Sequence, residues 1–589
     1  MRACVFERGV LKISTNLASA LRSFRQMKQP TLLWADAVCI NQANFGERSQ
    51  QVALMAMIFK RAVRVLGWLG EGNETTSIAM EHLRHLSALA DQFSIESCEA
   101  LHVKGIPRFS GTLEAGFDIA DTALRKKVAT VYSQAWFRRK WIAQEIALAR
   151  EIVLYVGSEM IDWASFTKAT SLFNGALERV ETYRDKTPVR ALPFIVTRIL
   201  YRNTSEDAFE VDTPYSRFGR RMYVLRYLQC KDEHDHVYAL MGLDPKNDPG
   251  TTVLVKPNYE VPFEQMYIAV VRRFLEDNDP TVLNDAGLSK RRLSVAIKVG
   301  PTYSGSLPTW APELREDAIA NSQIPWDFGA FHTALDIKPE ISLKLPAQTR
   351  ISVYGILLDA VSFKWVAPTN ASHIKFFAHI KDLVGKYRSG YPITCTKHES
   401  CGEERYRFTG EELLRAFALT FALDNTDHSR RRRLRARGTG HEFLELWKGY
   451  ENFCLAEQGE VHILLKQLTS APNREQNFTD NLTAGAQLAW DFHMTVRRTL
   501  QYASCFTTTK GYMGCGPRYE DGDQADEHLV QDGDVVAIIF GMRMPSLLRR
   551  VPGSDDFQLV GPCYVQGVMK GEVKQQKGLM DAATMISLI

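Results

Sequence analysis

The chain has 589 residues, 45% hydrophobic and 24% charged, with a formal net charge of +4. That is globular composition, long enough for roughly two to four domains, since single cores stop growing near ~250–300 residues. The charge is too small to imply nucleic-acid binding by bulk electrostatics, and no run approaches the ~20 apolar residues needed to cross a bilayer. The opening "MRACVFERGVLKIS" has no apolar signal-peptide core and no small-residue cleavage site. Ten cysteines are scattered without a dense framework, so reduced thiols in a cytoplasmic or nuclear protein are expected.

In chain order, Ser14, Thr15 or Asn16 caps a helix with Leu17, Ala20, Leu21 and Phe24 at helical spacing, stopped by Pro30. "TLLWADAV" (Thr31 to Val38) predicts a buried parallel strand ending near Ala35. A second helix places Val52, Met55, Ala56 and Phe59 on one face. "VRVLGWLG" predicts a strand ended by Gly70. "LRKKVATVYSQAWFRRKWIAQEIALAR" is mostly helical, and "EIVLYVG" is strand-like. Strands alternating with helices imply a parallel sheet covered on both faces, with ligands at the carboxyl ends of its strands. Asp36, Asn41 and Gln42 would fall just past such an end, with groups able to bind sugar hydroxyls or amides. Their alternative use is to satisfy loop and helix-end amides.

Further along, Phe263, Met266, Tyr267, Val270 and Val271 share a helix face. Asp232, His234, Asp235 and His236 read as a polar turn or cap, with a metal site as the lesser alternative. Cys395, His398 and Cys401 lack a second matching pair, so no metal is assigned. Six arginines between Arg430 and Arg437 read as an exposed insert, with a nuclear-import signal or an RNA-contacting loop as the functional alternatives. From Tyr502 onward short strands alternate with Gly, Asp and Pro, predicting hairpins of a β-rich module. "EDGDQADE" lacks the spacing of a calcium loop and reads as a turn. The expected divisions are an α/β domain over 1–160, a mainly helical region over 161–345, a mixed region over 346–500 with an Arg-rich insert at 429–438, and a β-rich module over 501–589.

Trp34, Asp36, Cys39, Ile40, Asn41 and Gln42, followed by Glu47, Arg48, Gln51, Val52, Met55, Trp68, Leu69 and Gly70, form a long ordered pattern. It resembles the heterokaryon-incompatibility (HET) domain of filamentous fungi. "WFRRKWIAQEIALAREIVLYVG" is similar to that family's second block, and "CKDEHDHVYALMGL", "LPTWAPEL" and the tail from Gly511 resemble its downstream segments. The resemblance implies a remote relative of the Toll/interleukin-1 receptor (TIR) fold, a flavodoxin-like α/β domain. It also implies a role in non-self recognition that ends in cell death. TIR domains that cleave NAD use a glutamate within a Trp–x–x–x–Glu segment, and "WIAQEI" supplies Trp141 and Glu145. The implied catalytic residue is Glu145, with Asp36, Asn41, Gln42 and Trp141 lining the NAD site; NAD is the substrate and no cofactor is required. The plainer reading of Glu145 is a surface ion pair with Arg138, Arg139, Lys140 or Arg150. No Ala–Leu–Ser–Tyr–x–Trp-like segment precedes Met1, so the domain is expected to lack its first strand. The alternatives to a hydrolase are then a non-catalytic oligomerising module or an inactive truncated paralogue. Expected partners are further copies of the chain, through the HET domain, and an unidentified partner or sensor protein.

Overall fold

The computed structural model describes residues 2–6, 9–25, 32–92, 122–180, 214–225, 228–243, 255–288, 307–312, 333–334, 336–343, 349–366, 373–391, 405–411, 413–422, 496–497, 499–500, 503–518 and 529–589. Chain contacts separate two units. One comprises Met1–Ala208 with Arg217–Val270, the other Phe209–Ser216 with Val271–Ile589. The arginine run 430–437, the Cys395, His398 and Cys401 group and the acidic stretch 520–527 lie outside the described residues. No described helix is long and apolar enough to cross a membrane.

In the first unit, β1 (Arg2–Phe6) and β2 (Gly9–Ile13) form an antiparallel hairpin. Helix α1 (Thr15–Arg25) follows as expected, with Ser14 Oγ accepting the Leu17 N–H at 3.1 Å. Its Phe24 ring stands edge-on to Trp68 and Tyr155, at 6.0 and 5.3 Å between centroids. After α2 (Asp36–Cys39) comes α3 (Phe45–Arg61), capped by Asn44, whose Oδ1 accepts the Glu47 N–H at 3.0 Å. Met55 and Phe59 bury the face that periodicity assigned. β3 (Val65–Gly70) and α4 (Glu74–Gln92) lead to α5 (Thr122–Tyr132), a 3-10 turn at Ala135–Arg138 and α6 (Ile142–Leu148). The stretch expected to be mostly helical is thus broken into three short pieces. β4 (Ile152–Val156), β5 (Glu159–Asp162) and α7 (Trp163–Val180) follow, then α8 (Pro214–Val224), α9 (Asp235–Met241) and α10 (Phe263–Glu276).

β3 and β4 pair in parallel from Val65↔Ile152, and β5 adds to β4 antiparallel. Of the strand expected at Thr31–Val38, the described residues 32–38 form none. Leu32 is fully exposed and residues 32–35 join no described ladder. At Asp36 the side chain accepts the Ala37 N–H at 2.7 Å and a one-turn helix starts instead. An apolar run without a neighbouring strand gains nothing from extension, whereas a short acidic side chain can bond its own backbone. The expected parallel sheet is therefore reduced, among the described residues, to one parallel pair with an antiparallel edge, and Asp36 does not sit at a strand tip.

The second unit is built on one long strand, β7 (Ile351–Val366), with the short β6 (Ile341–Ser342) beside it. Around it lie α11 (His373–Gly390), α12 (Leu413–Ala422), β8 (Ala503–Thr508), β9 (Met513–Pro517), β10 (Val535–Ile539), β11 (Ser546–Arg550), β12 (Phe557–Pro562), β13 (Tyr564–Val565), α13 (Lys577–Met580) and β14 (Thr584–Leu588). The first half of β7 pairs with β14 on one side and β10 on the other, and β10–β11–β12–β14 completes a closed ring. Its second half pairs with β8, which continues to β9 and β13. The β-rich tail read from sequence is present, and the ring it forms also needs β7 from the preceding region. Gly355 is opposite Ile539 on one side and Thr584 on the other. A Cβ there would stand 2.5 Å from the Ile538 carbonyl oxygen, so closure requires glycine. Ile356, Leu358, Val536, Ile538, Leu547 and Val560 fill one core of this unit. Leu383 and Phe417 pack with Cys505 and Cys515 in a second. Residues 307–312 belong to this unit, with the Trp310 indole N–H donating to the Thr349 carbonyl at 2.8 Å and the Leu559 N–H donating to Thr309 Oγ1 at 2.9 Å.

Candidate functional site

In the first unit the acidic candidates come from two places in the chain. Asp36 opens α2, and Glu145 lies in the first turn of α6. Trp141 precedes that helix in helical conformation, and the Glu145 N–H reaches its carbonyl at 3.4 Å, so the i, i+4 relation read from sequence is present. Glu145 is half-buried rather than exposed. Burial pushes its carboxyl above the ordinary carboxylate range, the Arg139 charge opposes the rise, and the Asp36 charge adds to it.

Asn41 and Gln42 are exposed. Asn41 Oδ1 accepts the Ala43 N–H at 3.2 Å, and the Gln42 amide donates to the Asp36 carbonyl at 3.2 Å. Glu47 closes the turn by accepting the Asn41 N–H at 2.9 Å. These side chains shape the loop that carries Asp36. The free faces of Asn41 and Gln42 point away from the protein interior, and the described contacts of both are local.

The cation cluster around Glu145 is more differentiated than a surface ion-pair network. Arg138 and Arg139 are exposed, but Lys140 is buried, with Nζ 2.7 Å from His236 Nδ1. A lysine has only protons to give, so His236 presents an unprotonated Nδ1 to it. Backbone bonds join the same two segments: the Lys140 N–H donates to the Gln229 carbonyl at 2.9 Å, and the Gln229 N–H donates to the Arg138 carbonyl at 2.6 Å. Gln144, buried beside Glu145, donates from Nε2 to the Tyr238 carbonyl at 3.0 Å.

Next to this zipper is a charge cluster that the sequence reading did not assemble. Arg48, on α3, contacts Asp232 at 2.9 Å and Asp235 at 3.5 Å, and its guanidinium lies 3.6 Å over the Tyr259 ring. The Tyr259 hydroxyl donates to Asp235 Oδ1 at 2.6 Å. Burial pushes the Asp235 carboxyl up, while Tyr259, the indole N–H of Trp141 and Arg48 favour its charge. Burial works against Asp232 as well, but bonds from His234 and Arg48 outweigh it and hold that carboxyl below its ordinary range. The turn reading of Asp232 stands, since its Oδ1 accepts the His234 N–H at 3.1 Å and lies 2.7 Å from His234 Nδ1. Among the described residues no group of three or more acidic, histidine or cysteine side chains is arranged to hold a metal. Arg48 and the two aspartates were each visible in the sequence. What joined them was opposite charge across nearly two hundred residues, a signal that spacing does not carry.

Both regions have counterparts in known families. Residues 3–145 match the family described as Heterokaryon incompatibility protein (HET), and residues 396–581 match the Het-6 beta-barrel domain. The chain belongs to the fungal HET-domain proteins. It is similar to "Heterokaryon incompatibility protein 6, OR allele" of Neurospora crassa, with 22% identity across 96% of this chain and 85% of that protein. No solved structure matches the chain. Residues 229–242, which hold Lys140 and Gln144, lie beyond the stretch matched as HET. β7, which closes the ring, lies ahead of the stretch matched as barrel.

Proposed function

We propose that this chain acts in heterokaryon incompatibility, where its HET domain hydrolyses NAD and so triggers cell death after non-self contact. The reading takes the role from the family and the relative's name and the chemistry from one observation: a half-buried Glu145 one helical turn beyond Trp141, whose carbonyl its N–H reaches at 3.4 Å. Breaking the nicotinamide–ribose bond sends its electron pair to the pyridine nitrogen and leaves positive charge on the sugar. Water then adds to that carbon and loses a proton. Nicotinamide is a good leaving group, so the demand on the protein is to stabilise the sugar cation, which a fixed carboxylate can do. In this reading Glu145 is the catalytic carboxylate, Trp141, Asp36, Asn41 and Gln42 line the NAD site, and NAD is substrate rather than cofactor. The fold is remotely TIR-like and the site of action is the cytoplasm. Glu145→Gln keeps the shape and removes the charge. It is expected to slow NAD loss by the purified chain about 100- to 1000-fold; equal rates in the two proteins would dismiss the assignment.

A second reading, a non-catalytic module that signals by self-association, is favoured by a different observation. Of the eight large apolar side chains exposed among the described residues, Leu32, Leu33, Phe45, Leu54 and Val63 all fall within residues 32–63. Exposed apolar side chains gathered in one stretch of chain offer material for an interaction surface. Light scattering on the purified chain should show oligomers that Phe45→Ser with Leu54→Ser returns to monomer. A wild-type chain that stays monomeric at every concentration rules this reading out.

A further inference from the structure

Glu145 is carried by a helix of only seven residues, Ile142–Leu148. So short a helix cannot hold its own orientation, because isolated helices below roughly 12–15 residues are marginal in water. Its aim must come from what it is fastened to. Several bonds from Arg138, Lys140 and Gln144 reach the same distant segment. Arg138 and Lys140 share backbone bonds with Gln229, Lys140 Nζ meets His236, and Gln144 is bonded to the Tyr238 carbonyl. The Trp141 indole N–H faces Asp235. Asp235 is in turn fixed by the Tyr259 hydroxyl at 2.6 Å and by Arg48 at 3.5 Å. Gly242 completes the fit: a Cβ there would stand 2.7 Å from Ala56 Cβ and 3.0 Å from Gln144 Oε1, so the segment is pressed between α3 and Gln144.

We infer that residues 229–242 are a latch that aims Glu145, with Asp235 and Gln144 as its positioning residues. This inference rests on the proposed catalytic role of Glu145 and extends the working unit of the domain beyond the stretch matched as HET. Neither Asp235 nor Gln144 touches the reacting atoms in this scheme. Asp235 offers two carboxylate oxygens to three donors on three segments, so neutralising it leaves Arg48 without its second anion and Trp141 without its acceptor. Gln144 fixes the backbone immediately before Glu145.

The test uses the full chain with Asp235→Asn, Gln144→Met and the two combined. A displaced carboxylate loses stabilisation that grows in the transition state, so kcat for NAD should fall about tenfold or more while KM changes less than about twofold. The double variant should lose little more than the worse single, because both act through one helix. Hydrogen–deuterium exchange gives a readout independent of activity: amides of residues 142–148 should exchange at least about tenfold faster, with the ring strands unchanged. Wild-type kcat together with wild-type exchange at 142–148 overturns the latch. So does faster exchange spread evenly over the chain, which would mean a general loss of stability. If the wild type consumes no NAD, the hydrolase reading fails and exchange alone decides whether the latch exists.

Discussion

The carboxyl of Glu145 is set by burial and two charged neighbours, with separable effects. Burial raises it, the exposed Arg139 pulls it down, and Asp36 pushes it up. A carboxylate that stabilises a sugar cation must be ionised, so activity should fall as pH drops through this raised pKa. Asp36→Asn keeps the acceptor for the Ala37 N–H and removes the repelling charge. The acid limb of kcat should then move to lower pH, and Arg139→Gln should move it to higher pH. A limb that stays fixed in both variants means that another group titrates there. At this scale the sequence offered candidate residues but not how they are engaged. Glu145 and Trp141 carried a spacing signal. The burial of Lys140 did not, because a lysine within a basic run reads as solvated until its partner, His236, is placed against it.

At the scale of elements, periodicity worked where burial is one-sided. α1, α3 and α10 were legible because their apolar residues recur at helical spacing, and β3 and β4 because short apolar runs end at Gly70 and Gly157. The segment 31–38 was misread because an apolar run specifies a strand only when a neighbour is available, and Leu32 and Leu33 join no ladder among the described residues. β7 went unrecognised for the opposite reason. Its sixteen residues pair with different strands along their length, and nothing local announces that. Gly355 is the residue where two of those pairings meet, and it makes this element testable. Gly355→Ala places a methyl group against the Ile538 carbonyl, and the expected cost is about 1–3 kcal/mol, seen as a lower urea midpoint. An unchanged midpoint would show that the ring gives way there without loss.

For the whole molecule, the α/β character of the first part and the β-rich character of the last were legible, and the family pattern in residues 34–70 was specific enough to name. Closure of the ring was not, since it depends on pairing between strands far apart in the chain. That same separation has a consequence for how the protein is made. Ile351–Val366 leaves the ribosome more than 160 residues before Val535, the start of its partner β10, and over 200 before β14. At roughly 5–20 residues per second, the strand spends on the order of ten seconds or more without those two neighbours. Its apolar face and open edge are exposed for that interval, so the newborn chain should depend on chaperones at a point where the finished ring shows no vulnerability.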